Sequence, residues 1–324
     1  VYKRQQLARD RAHSFRNISK LDHDQLAAQL IADQIDILVD LNGYTGQSRI
    51  PLLARRAAPV QISWIGYPNT TGLDTVDYRI VDGVTDPIGP ADQFNTERLF
   101  RMPEVFSVYA PLEEMPPVVP APCLEGDYVT FGSFNNLAKI NTPVLECWAE
   151  ILSRVPASRL VIKDFAMDYE AVRRGILRFF AARGIDDQRI RFKGHIEDRF
   201  ELFKFYSTVD ICLDTFPYNG TTTTCESLYM GVPVVTCRGA SHRACVTASQ
   251  LRAMGLESLV GRNAAEYADI AAGLASDRAL LEKTRNGLRE RMQSSPLMDA
   301  EGFTLELESR YREVFARWCE ASNP

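Results

Sequence analysis

Apolar positions along this chain alternate between two spacings. In "LDHDQLAAQLIADQ" they recur every three or four residues, as on one helix face, and the next stretch, "IDILVDL" (Ile35 to Leu41), is a short apolar run suited to a strand buried on both faces. Two more such runs, "VQISWIG" and "VDYRIVDG", each end in a glycine-containing turn. Strand alternating with helix predicts a mostly parallel sheet. The pattern stops at "APLEEMPPVVPAPCLEGD" (Ala110 to Asp127), where five prolines and a lack of periodicity exclude a helix or a central strand, so this segment reads as a linker. Beyond it the alternation restarts. The expected strands are "YVTFGSF", "RLVIKDF", "RIRFKG", "VDICLDTF" and "VPVVTC", separated by helices in "TPVLECWAEILSRV", "YEAVRRGILRFFAARG", "RFELFKFYS" and "TCESLYMG". The tail from Ala264 to Cys319 is helical, with segments "EYADIAAGLA", "RALLEKTRNGLRERM" and "EGFTLELESRYREVFARWCE". The expected class is α/β: a strand–helix domain over 1–109, a linker over 110–127, and a doubly wound domain with C-terminal helices over 128–324. In such folds a ligand sits at the carboxyl ends of the strands.

Length and composition agree with two domains. The 324 residues exceed one ordinary core, and 45% hydrophobic with 24% charged content is that of a soluble globular chain. A net charge of −5 argues against a nucleic-acid partner, the basic clusters "KRQQLARDRAHSFR" and "RNGLRERMQ" reading as solvated helix faces. No apolar run is long enough for a membrane partner. The cysteines, 123, 147, 212, 225, 237, 245 and 319, are odd in number, form no CxxC pair and sit mostly in apolar surroundings; free thiols in a reducing, cytoplasmic compartment are expected. No signal peptide pattern stands at the start. The chain opens on Val1, in a helix with no strand before it, as a fragment would.

Candidate chemistry concentrates in two strand-to-helix loops of the second half. One is "SFNNLAKIN" (Ser133 to Asn141), in which Lys139 stands just before a helix capped by Asn141 or Thr142 with Pro143 in its first turn. The other, within "DTFPYNGTTTTCESLYMGVPVV", puts Asn219, Gly220 and Thr221, Thr222, Thr223 and Thr224 ahead of a helix containing Glu226. One threonine suffices for a cap; the others suggest a turn that offers hydroxyl and N–H groups to a phosphate, although a cap plus surface is the plain alternative. If the loops adjoin, a lysine and a helix N-terminus together hold a diphosphate without a metal. Glu226 would then accept from sugar hydroxyls such as those of a ribose, or simply favour the helix dipole. The chain has no GxGxxG and no GxxxxGK[ST], which disfavours dehydrogenases and P-loop enzymes. No metal site is expected: the "DHD" at Asp22 to Asp24 lies at a helix start, and His13, His23, His195 and His242 have no partners at ligand spacing.

Four ordered motifs, "DILVDLNGYT", "APVQISWIGYPNTTGLDTVDYRIVD", "FGSFNNLAKI" and "DICLDTFPYNGTTTTCESLYMGVPVVT", resemble the catalytic region of the bacterial O-linked N-acetylglucosamine transferases, the family that includes Spindly, from about Ile35 to the C-terminus. The resemblance implies the GT-B fold, two Rossmann-like domains facing across a cleft, with no metal cofactor. It further implies UDP-N-acetylglucosamine as donor, a protein or peptide Ser/Thr hydroxyl as acceptor, and tetratricopeptide repeats upstream in the full-length protein. By the same resemblance Asn136 and Lys139 contact the diphosphate, Thr221, Thr222 and Thr223 form the phosphate turn, and Glu226 stands where the family places an acid on the ribose. Asn42, Tyr44 and Thr45, with Gly66, Tyr67 and Pro68, line the cleft from the first domain, although "GYPNTTG" also reads as a plain loop. Asp40 is the nearest candidate for a general base. In "RGASHRACVTASQL" the expected arginine before "VTAS" is Cys245, with Arg243 two positions earlier. Fucose or glucose as the donated sugar, or an inactive nucleotide-sugar-binding fragment, are the alternatives.

Overall fold

The computed structural model describes residues 2–111 and 114–322, with side chains from residue 6 onward. By contacts the chain divides into two compact units: the chain up to Arg79 with Asn95–Arg98 and the stretch from Arg310, and Ile80–Phe94 with Leu99–Ser309.

The chain opens with helices α1 (Tyr2–Arg11) and α2 (His23–Ala32). A capping box starts α2: Asp22 accepts the Gln25 N–H while the Gln25 side chain accepts the Asp22 N–H. Its inner face packs Leu26 and Ala27 with Leu52 and Ala57. Strand β1 (Ile37–Asp40), the short helix α3 (Ile50–Leu53) and strands β2 (Val60–Ser63), β3 (Tyr78–Asp82) and β4 (Arg98–Met102) follow. The sheet order is β1-β2-β3-β4, with β1/β2 and β2/β3 parallel. Strands β2 and β3 are buried along their length, but β1 is only half-buried, because it stands at the sheet edge; the expectation of two covered faces does not hold for it. Strand β4 went unforeseen because arginines interrupt its apolar positions in "RLFRM".

The segment between β4 and the second sheet carries the 3₁₀ turn Pro122–Leu124, with Ala121 and Cys123 buried in the core of the second unit. Then come β5 (Val129–Ser133), α4 (Thr142–Arg154), β6 (Ser158–Lys163), α5 (Glu170–Ala181), β7 (Ile190–Lys193), α6 (Arg199–Tyr206), β8 (Ile211–Leu213), α7 (Thr222–Tyr229) and β9 (Val234–Cys237). The remaining elements are α8 (Val246–Ala253), β10 (Val260–Gly261), α9 (Ala264–Ser276), α10 (Arg278–Arg285), α11 (Leu288–Gln293) and α12 (Ala300–Ser322). The helix expected over "RALLEKTRNGLRERM" is thus broken, with Gly287 at a left-handed φ of 70°.

The second sheet is parallel with order β10-β9-β8-β5-β6-β7. Successive connections run one way from β5 and the other way from β8. The loops after these two strands therefore flank the topological switch point, where open α/β sheets bind ligands. A buried chain of bonds anchors that edge: Trp148 Nε1 of α4 donates to Tyr267 Oη of α9 at 3.1 Å, and Tyr267 donates to the Asp214 carbonyl at 3.0 Å.

Candidate functional site

Just past β8, Asp214 is 1% exposed and organises both switch-point loops. Its Oδ1 accepts from the N–H groups of Gly220 (2.7 Å) and Thr215 (2.9 Å) and from Asn135 Nδ2 (3.0 Å), and its Oδ2 accepts from Thr236 Oγ1 (2.7 Å). Burial pushes the Asp214 carboxyl up, and the hydrogen bonds from Thr236, Gly220 and Thr215 offset part of that rise. Asn135 also accepts from Thr223 Oγ1 at 3.0 Å, joining the loop after β5 to the start of α7. A Cβ on Gly220 would stand 2.5 Å from Thr224 Oγ1 and 2.9 Å from Thr223 Oγ1, so only glycine fits there.

The helix begins at Thr222, two residues earlier than expected, which moves Glu226 into its second turn and away from the strongest part of the dipole. No side-chain cap closes this helix start. Thr223 is turned to Asn135, while Thr224 shares a 3.1 Å hydrogen bond with Thr247. The N–H groups of the first turn, which have no intrahelical partners, are thereby left to an outside acceptor.

Lys139 reaches this turn from the other loop. Its Nζ donates to the Asn219 carbonyl at 2.7 Å and lies 4.1 Å from the centre of the Tyr218 ring. Burial lowers its pKa, and the Asp214 carboxylate favours the charged form. Asn136, exposed, caps the 3₁₀ turn carrying Lys139 by accepting the Ala138 N–H at 2.8 Å. Of the two cap candidates for α4, Asn141 does the work, accepting from Val144 N–H. Glu226 is buried; Tyr206 Oη donates to its Oε2 at 2.9 Å, and Arg199 pairs with Oε1 at 3.5 Å. Burial, and then the Glu226 charge, push the Tyr206 phenol well above its usual range.

In the first unit the candidate residues form two interlocked loops. Asp40, ending β1, accepts the N–H groups of Gly43 (2.7 Å) and Asn42 (3.4 Å). Thr45 Oγ1 donates to the Asn42 carbonyl at 2.7 Å, and Asn42 Nδ2 donates to the Gly46 carbonyl at 3.1 Å. Tyr44 crosses to the second loop: its hydroxyl donates to the Thr71 carbonyl at 2.7 Å, and its ring meets that of Tyr67 edge-on at 5.2 Å. Gly66 lies so close beneath the Leu41 carbonyl that a Cβ would stand 2.0 Å from its oxygen, and Pro68 is half-buried between Tyr67 and Asn69.

Sequence reasoning missed Asp214, Asn135, Tyr206 and Arg199. The signal for Asp214 was available, since a carboxylate inside the apolar run "DICLDTF" must be buried and therefore bonded. The side chain of Arg243 is exposed, while its carbonyl accepts the Asn219 N–H at 2.9 Å; Cys245 Sγ lies 3.1 Å from the Gly239 carbonyl. Among the described residues, no three His, Cys, Asp or Glu converge as a metal-binding group, and no helix is long and apolar enough to cross a membrane.

Comparison with known proteins places this geometry in a lineage. A protein of Solanum lycopersicum named "Probable UDP-N-acetylglucosamine--peptide N-acetylglucosaminyltransferase SPINDLY" is 47% identical over 310 residues, covering 96% of this chain and 33% of the relative. An Arabidopsis thaliana protein of the same name is 45% identical over 96% of this chain and 34% of its own length. The chain therefore spans about a third of the length of these curated relatives. Among solved structures, a K341M mutant of the Thermobaculum terrenum O-GlcNAc transferase superposes with a TM-score of 0.92 at 36% identity, over 97% of this chain and 59% of that one. The superposition agrees with the GT-B class of two parallel sheets with flanking helices. Residues 2–116 and 122–307 match glycosyl transferase family 41, and the chain belongs to that family.

Proposed function

We propose that this chain is the catalytic part of a protein glycosyltransferase of the bacterial O-linked type, which moves N-acetylglucosamine from UDP-N-acetylglucosamine to Ser or Thr hydroxyls with inversion. One observation carries the reading: Lys139 Nζ stands 2.7 Å from the Asn219 carbonyl, so a cation and an uncapped helix N-terminus share one place in a family 41 chain. The names of the relatives support the donor and the peptide acceptor.

In this scheme the acceptor hydroxyl attacks the anomeric carbon as the nucleotide diphosphate leaves from the opposite face, through a transition state of oxocarbenium character. Lys139, Asn136 and the first-turn N–H groups of Thr222 and Thr223 hold the departing charge with fixed dipoles, without a metal cofactor. Glu226, fixed by Tyr206 and Arg199, accepts from the ribose hydroxyls. Asp40 takes the acceptor proton; a carboxylate has lone pairs beyond those its turn occupies. Asn42, Tyr44, Thr45, Gly66, Tyr67 and Pro68 form the acceptor and sugar side. Six buried free thiols suit a reducing, cytoplasmic setting, and upstream tetratricopeptide repeats would present the acceptor in the full-length protein.

Calorimetric titration of the chain with UDP, UDP-N-acetylglucosamine and GDP-fucose, in the presence of a chelator, tests the reading. Uridine ligands are expected to bind, and Lys139→Ala and Glu226→Ala to weaken them. Preference for GDP-fucose would replace the donor, and binding of no nucleotide would refute the transferase.

A further inference from the structure

Behind the phosphate turn, a second set of buried polar side chains ties it to the end of β3. The segment Arg238–Gln250, which runs into α8, is bonded on both sides. Toward the phosphate turn, Asn219 N–H donates to the Arg243 carbonyl at 2.9 Å, Thr247 Oγ1 donates to the Gly220 carbonyl at 3.2 Å, and Gln250 Nε2 donates to the Thr221 carbonyl at 3.2 Å. Toward β3, Ser249 Oγ donates to Asp82 Oδ2 at 2.6 Å, and His242 Nδ1 lies 2.6 Å from Asp86 Oδ2. Asp82 is itself the acceptor for the N–H groups of Val84, Thr85 and Phe106, and the Phe106 ring meets His242 edge-on at 4.8 Å. All of these residues lie in the second unit, and Asp82, Asp86, His242 and Ser249 are each buried.

Burying two carboxylates is a poor way to gain stability, because apolar side chains of similar volume usually do as well. What a satisfied buried polar network does supply is a single geometry, since any shift of the turn leaves a desolvated group without its partner. We propose that Asp82 and Asp86 are positioning residues: acting through Ser249 and His242, they clamp the 238–250 segment against the backbone of Asn219–Thr221 and so set the start of α7 to receive a diphosphate. This rests on the donor reading above. The clamp grips the backbone of the phosphate turn, so its loss should be felt at the phosphates and not at the nucleoside.

The test compares the wild-type chain with Asp86→Asn and the milder Ser249→Ala, after confirming that each folds by circular dichroism. UDP and GDP are titrated calorimetrically, and the corresponding nucleosides are titrated by ligand-observed NMR. Each variant is expected to weaken the diphosphate, Asp86→Asn by about ten- to hundredfold, while nucleoside affinity stays within about twofold of wild type. Diphosphate affinity unchanged in both variants overturns the clamp, as does an equal loss of nucleoside and diphosphate, which is what general loosening would give. Should Asp86→Asn fail to fold, Ser249→Ala decides alone. A wild-type chain that binds neither diphosphate refutes the donor reading, and the clamp with it; a wild type that binds beside unaffected variants refutes the clamp only.

Discussion

Replacing Lys139 with methionine separates catalysis from stability. The substitution keeps the length of the stem and removes the ammonium that donates to the Asn219 carbonyl at 2.7 Å. Loss of one positioned donor to a departing oxyanion typically costs about 10²–10³ in rate, or about 2.7–4 kcal/mol of barrier. The stability side is nearly balanced. One hydrogen bond worth about 1 kcal/mol is lost, but a buried charge disappears with it, and burial is what depresses the pKa of this lysine. Tm should therefore move by no more than about 4 °C. The pH dependence has a definite sign. The folded pKa lies below that of a free lysine, so below it the group is charged in both states and the burial cost is felt in full. That cost is relieved as pH rises from the folded pKa toward the ordinary lysine value, a rise in relative stability that Lys139→Met should lack. In the same region the wild-type kcat/KM should fall, since a neutral amine does not offset diphosphate charge, whereas the variant should show no such limb. Initial rates of UDP release with a peptide acceptor, paired with thermal melts, supply both numbers. A folded variant with kcat/KM within about threefold of wild type would remove the lysine from the leaving-group site, because the expected loss is at least about a hundredfold.

Gly220→Ala places a methyl 2.5 Å from Thr224 Oγ1 and 3.1 Å from Asn135 Oδ1, and short side chains leave it no room; calorimetry should show UDP affinity down by more than about tenfold as the turn shifts. Gly66→Ala sets a Cβ 2.0 Å from the Leu41 carbonyl oxygen, a backbone clash that should cost about 3 kcal/mol or more in a urea melt. Glu226→Gln should reduce the preference for UDP over 2′-deoxy-UDP to within about threefold, since in the proposed scheme a charge-assisted bond to the ribose distinguishes them; an unchanged preference removes Glu226 from the ribose. Asp40→Asn should lower kcat by about 10²-fold while leaving the UDP Kd alone, and a drop under about threefold would place the base elsewhere.

The second sheet was legible because its buried strands leave continuous apolar runs and β5 to β8 are each followed by a periodic helix. In the first sheet the runs of β1 to β3 were legible but the strand–helix alternation was not met, since β3 follows β2 with no helix between them. Strand β4 and helix α8 were not legible, since arginines break the run of β4 and "RACVTASQL" carries too little polar contrast to show a face. The glycine–threonine turn proposed to hold phosphate was legible as a turn into a helix because its residues are consecutive: glycine, threonines and a helix start need no tertiary information. Its partners are not consecutive. Tyr206 and Arg199 reach Glu226 from α6, and Asn135 reaches Thr223 across 88 positions, so no local spacing rule could pair them. The four hydroxyls likewise read as one set in sequence, yet Thr223 and Thr224 turn to different side chains.

Asp214 shows how a carboxylate can stand behind the proposed diphosphate site without repelling an anion. Its oxygens face inward, and both are taken up by donors from Gly220, Thr215, Asn135 and Thr236. By accepting the Gly220 N–H, it fixes the chain two residues ahead of the start of α7, where no side chain caps the first turn. It also acts on Lys139, favouring the protonated amine against the burial that would strip it. The same negative charge thus holds the turn before α7 and favours the cation beside it. A neutral residue able to make these hydrogen bonds could shape the turn, but only a charged one also favours the protonated lysine that the proposed mechanism sets against a leaving diphosphate.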